Sequence, residues 1–66
     1  MKTQLSVMLK RIGDDEFRIA GQIEVMSRPS IGQQCEHGGV QAIVREVHMP
    51  TLGMQPGCGK LFLEQE

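Results

Sequence analysis

Residues 3–12 and 17–27 are two runs of alternating apolar and polar side chains, separated by Gly13-Asp14-Asp15-Glu16. In the first run Thr3, Leu5, Val7 and Leu9 share one side, and Gln4, Ser6, Met8 and Lys10 the other. In the second, Phe17, Ile19, Gly21, Ile23 and Val25 point one way, and Arg18, Ala20, Gln22, Glu24 and Met26 the other. A period of two belongs to a half-buried strand, and a Gly/Asp cluster between two such runs belongs to a hairpin turn. The chain therefore begins as an antiparallel hairpin. The favoured register sets Val7 opposite Ile23 and Leu5 opposite Val25, because sliding the strands to the next allowed register sets Lys10 against Arg18. Gly21, on the inner side in mid-strand, marks a bend, a bulge or a close approach.

The rest of the chain carries the same signature less cleanly. Residues 28–39 read as a loop, punctuated by Pro29, Gly32, Gly38 and Gly39, with Ile31 expected to pin it to the core. Residues 40–49, VQAIVREVHM, are rich in β-branched residues, but their apolar positions straddle both parities. That predicts a strand buried on both faces, or a bulge shifting the phase near Ile43 and Val44. Helix is the competing reading, since Val40, Ile43, Val44 and Val47 are spaced i, i+3, i+4, i+7. Preceding Gly39, following Pro50 and the β-branched content favour the strand. A second turn-rich stretch at 50–59 leads to a short last strand at 60–65, KLFLEQ, expected at a sheet edge. The sum is an all-β chain: a small barrel or rolled antiparallel sheet of four to five strands, residues 1–66 forming a single small β domain.

The stretch from Phe17 to Pro50 resembles the second, β-barrel domain of translation GTPases. A strand with a central glycine (FRIAGQIEV) leads to a Pro-x-x-Gly loop (Pro29-Ser30-Ile31-Gly32), a polar segment and a Val/Ile strand (AIVREV). The resemblance covers about half of the chain and rests on barrel-forming features. It implies a barrel fold and carries no site residue across.

Composition narrows function. With 66 residues the chain has no room for a deep multi-part active site or a doubly wound sheet. Seven Lys+Arg against eight Asp+Glu give a net charge of −1, so there is no global attraction to nucleic acid or anionic lipid. Two Phe and no Trp or Tyr cannot both fill a core and line a base-stacking or proline-binding surface. No apolar run reaches the length of a membrane helix, and the N-terminus lacks the apolar core of a secretory signal. A cytoplasmic location is expected. Two cysteines are too few for a disulfide scaffold.

Candidate sites follow. Met8 and Met26, on the nominally polar side of the hairpin near Arg18, make an adaptable apolar surface, so Met8, Met26 and Arg18 are the candidate partner-binding residues. The leading function is a non-catalytic binding or regulatory module acting through protein–protein interaction, with self-association expected because so short a chain buries little surface alone. Lys10, Arg18, Arg28 and Arg45 could form a basic strip, which makes a nucleic-acid-binding barrel the alternative, opposed by Glu24 and Glu46. Cys35, His37, His48 and Cys58 are all the Cys and His in the chain and match a tetrahedral zinc set, the basis of a second alternative, a zinc-stapled structural module. Gln55-Pro56-Gly57-Cys58-Gly59-Lys60 resembles a zinc-ribbon knuckle with its first Cys replaced. A Cys35–Cys58 disulfide is a further possibility for these thiols. Cys35 and His37 could share a strand face as nucleophile and base, but no orienting group or oxyanion site accompanies them, so no enzymatic activity and no cofactor are expected. The glycines of GMQPGCGK do not make a phosphate loop, since Leu61 stands where Ser or Thr is required.

Overall fold

A computed structural model describes residues 3–50 and 59–66. Five strands make up the described chain: β1 (Thr3–Lys10), β2 (Arg18–Val25), β3 (Gln34–His37), β4 (Val40–His48) and β5 (Gly59–Gln65). They form one sheet in the order β2-β1-β5-β4-β3. The sheet curls through 206° into a half-barrel, so the all-β, rolled architecture is as expected. Two antiparallel units, β1–β2 and β3–β4–β5, are joined by the parallel pair β1–β5, which makes the sheet mixed. The last strand is therefore central, flanked by β1 and β4, and not the expected edge. Its pattern fits that place: Leu61 and Leu63 are buried, and Gly59 packs where no side chain has room.

The core lies on the inside of the curl. Leu5, Val7 and Leu9 of β1, Ala42, Val44 and Val47 of β4, and Leu61 and Leu63 of β5 form it, with Ile23, Val25, Val40, Cys35 and Met49 packed around them. Alternation places these residues on one face, because successive strand side chains point to opposite sides. No polar or charged residue among those described is buried.

Two bulges set which residues face in. On β2 the pairing runs Thr3 with Val25, Leu5 with Ile23 and Val7 with Gly21, then jumps to Met8 with Ile19 and Leu9 with Arg18. The register rejected on charge grounds is thus the one adopted. The extra residue, Ala20, shifts the phase so that Arg18 meets Leu9 and never Lys10. A bulge allows this by leaving one residue without a partner. Gly21, at φ 128, supplies a backbone conformation that L side chains rarely adopt. The same shift corrects the expected inner side of β2: Ile19 now shares the outer face with Met8, and Arg18 falls on the inner side at the rim. On β4 the register shifts between Val44 and Glu46, so Arg45 is the extra residue. That bulge, one of the two alternatives the sequence left open for this strand, carries Val47 back to the core and removes the helical reading of 40–49.

β3 falls within the stretch expected to be loop. His37 pairs with Val40 around Gly38 and Gly39, whose φ values of 58 and 81 are those of a two-residue hairpin turn with both central residues left-handed. Ile31 does not pin the preceding loop, being 63% exposed. Backbone hydrogen bonds hold it instead: Gly32 N donates to Val44 O at 2.8 Å, and Val44 N donates to Gln33 O at 2.9 Å.

Candidate interaction surface

The outer face of the half-barrel carries the chain's aromatic residues. Across β2, β1 and β5, register places Ile19 beside Met8 and Met8 beside Phe62. Phe17 packs edge-on against Phe62 with ring centroids 5.2 Å apart, and the His48 ring approaches Phe62 from β4 at 5.4 Å. Edge-to-face contact of this kind contributes beyond simple burial, because the positive edge of one ring meets the negative face of the other. Phe62 thus lies between Phe17 and His48, on the face away from the core. His48 is oriented by Glu46: its Nε2 donates to Glu46 Oε2 at 3.0 Å, since a carboxylate oxygen can only accept. Ile19 is 78% exposed, so the row Ile19, Met8, Phe62 ends in an apolar side chain standing in solvent.

Of the candidate partner residues, Met8 lies within this row and is half-buried. Arg18 lies at the rim, 3.8 Å from Asp14, and with it lines a cavity of about 270 Å³ that also takes in Leu9, Arg11, Ile19 and Ala20. Met26 follows Val25, which pairs with Thr3 at the other end of β1. At roughly 3.3 Å per residue it lies about 20 Å along the sheet from the row of Met8. The three do not form one surface. Phe17, Ile19 and Phe62, assigned by parity or by position to other roles, complete the cluster around Met8; only the bulge at Ala20 brings the first two there.

The basic residues are distributed among acids. Arg45 Nε donates to Glu64 Oε1 at 2.7 Å, and Lys10 is the register neighbour of Glu64 on the other side. Arg28 lies in the connection between β2 and β3. Both partners of the Arg45–Glu64 bridge are more than a third exposed, so it contributes only ~0.2–1 kcal/mol to stability.

The three described candidate zinc ligands, Cys35, His37 and His48, are not brought together. Cys35 and His37 share the inner side of β3, whereas His48 lies on the outer face of β4 with Glu46 and Phe62. Cys58, with the knuckle-like GMQPGC segment, lies outside the described residues. Among the described residues no three His, Cys, Asp or Glu side chains are grouped to hold a metal ion. Cys35 is free, and burial pushes its thiol above the ordinary value, which disfavours the thiolate that nucleophilic chemistry requires. His37 is engaged elsewhere: its Nε2 donates to Ala20 O at 2.9 Å.

Among the described residues no helix is long and apolar enough to cross a membrane. No known protein family matches the chain, and no curated protein or solved structure is detectably similar to it.

Proposed function

We propose that this chain is a small, non-catalytic binding module of the cytoplasm, acting by laying the outer face of its half-barrel against a protein surface, first of all a second copy of itself. The observation that supports this reading is the exposed end of the Ile19, Met8, Phe62 row, braced by Phe17. Apolar side chains of this size gain ~1.5–3 kcal/mol each when fully buried, so a partner that covers them gains affinity. A short domain with one buried face has the most to gain from such a partner.

Sedimentation at increasing protein concentration tests the proposal. The wild type is expected to gain mass with concentration. Met8→Glu combined with Ile19→Glu is expected to weaken that association at least roughly tenfold, because tenfold corresponds to ~1.4 kcal/mol, less than one such side chain contributes. Circular dichroism of the double variant should still show folded strands. A wild type whose mass stays flat at every concentration sinks self-association. An unfolded double variant assigns Met8 to the fold and not to an interface.

A further inference from the structure

The two edges of the curled sheet, β2 and β3, do not pair. No Cα atom of β2 lies within 8 Å of one in β3. A side chain spans the opening. His37, on the inner side of β3, reaches across and its Nε2 donates to Ala20 O at 2.9 Å. A carbonyl only accepts, so the neutral ring must carry its proton on Nε2. Ala20 is the residue that the β2 bulge leaves without a partner on β1, so its carbonyl is available for this bond. Gly21, next to it, holds the positive φ of 128 that the bend of the bulge takes, and its Cα faces the ring, since a Cβ there would sit in ordinary contact, 3.5 Å from His37 Nε2. The Gly38-Gly39 turn that follows His37 holds the end of β3 in register with Val40.

We propose that His37 is a latch, which closes the opening of the half-barrel between its two edge strands through its hydrogen bond to the Ala20 carbonyl and is the point at which the interior opens. The bulge, the glycine and the histidine act together. The bulge presents the acceptor, Gly21 supplies the positive φ that the bulge takes, and His37 takes the hydrogen-bonding position that a neighbouring strand's N–H would fill. Releasing the latch separates β2 and β3 without breaking any strand-to-strand pairing, because the sheet order puts them at opposite ends. Cys35 reports the opening, since it lies on the same side of β3 as His37 and packs against the core.

The test compares the wild type with His37→Ala and His37→Gln, the second keeping an N–H donor at a similar reach. Two rates are measured under native conditions: alkylation of Cys35 by iodoacetamide, localised by peptide mass spectrometry, and amide hydrogen exchange strand by strand. In His37→Ala both Cys35 alkylation and exchange in β2 and β3 are expected to rise roughly two- to twelvefold, the range set by losing one hydrogen bond of ordinary net strength. Exchange in β1 and β5 should be unchanged, and His37→Gln should stay close to the wild type. Rates in His37→Ala equal to those of the wild type overturn the latch. So does faster exchange in all five strands together, which is a general loss of stability. An equal rise in His37→Gln also overturns it, since the hydrogen bond would then not be what holds the edges.

Discussion

Leu63→Ala is expected to bring the chain to the edge of unfolding at 25 °C. Leu63 is fully buried on the central strand, between β1 and β4, where its register neighbours are Leu9 and Val44. Truncating a buried leucine costs ~2–5 kcal/mol, from lost transfer energy and the cavity left behind. A chain of this length is stable by only roughly 3–10 kcal/mol at 0.05–0.15 kcal/mol per residue. For a domain near this size each kcal/mol moves the thermal midpoint by ~4–8 °C, so the expected fall is about 8–40 °C. Thermal or urea denaturation followed by circular dichroism measures it. Phe62→Ala provides the comparison. Phe62 is the larger side chain, but it lies on the outer face and is only half-buried, so its removal should cost less. If Phe62→Ala proves the more damaging, the assignment of inner and outer faces of β5 is wrong.

Gly59→Val is the second large expected loss, and here two effects oppose. Replacing a glycine restricts the unfolded chain and by itself favours folding by ~0.4–1 kcal/mol. The folded state has no space for the replacement. A Cβ at Gly59 would come 2.5 Å from Leu5 Cδ2, 2.6 Å from Pro50 Cδ and 3.0 Å from His48 O. Leu5 is a fully buried core residue, the Pro50 ring is rigid, and His48 O is backbone, so none of the three can step aside cheaply. Overpacking of this kind costs ~1–3 kcal/mol or more, and the β-branched methyls of valine add to it. The clash wins, and the midpoint should fall by ~2–20 °C. A variant as stable as the wild type would show that β5 and the end of β4 do not close on each other here. This glycine looks like one more turn residue in a Gly-rich stretch, yet it is the point at which the central strand enters the core.

The candidate site was legible only in part. Met8 stood out because a large apolar residue broke the polar side of an otherwise regular strand. Its neighbours were hidden by a phase shift. Period-two reading carries Phe17 and Ile19 inward with Gly21, Ile23 and Val25, and only an extra residue at Ala20 turns them out. Gly21 signalled that a bulge or bend was near, but a glycine cannot say on which side of itself the phase changes. The role of His37 was less legible still. It depends on the distance between two strands that are far apart in sequence and at opposite ends of the sheet. The Gly38-Gly39 pair reads only as punctuation of a loop, and the strand before it is passed over because Gln34-Cys35-Glu36-His37 has little β propensity of its own.

What the sequence determined alone was local. The alternation in 3–12 and 17–27, the β-branched run at 40–49 and the apolar run at 60–65 specify strands, since only a pleated chain puts every second side chain on one face. The failed alternation in β4 narrowed that strand to two readings, burial on both faces or a bulge. The tertiary structure decided which strands meet. β5 lies between β1 and β4, with one parallel pairing, because its leucines bury more completely with a strand on each side than at an edge. The adopted hairpin register was excluded by a charge argument that ignored the bulge, and the extra residue removed the clash. Alternation is a property of consecutive residues and survives in the sequence. Pairing, curl and the reach of one histidine across an opening depend on residues that only the folded backbone brings near one another.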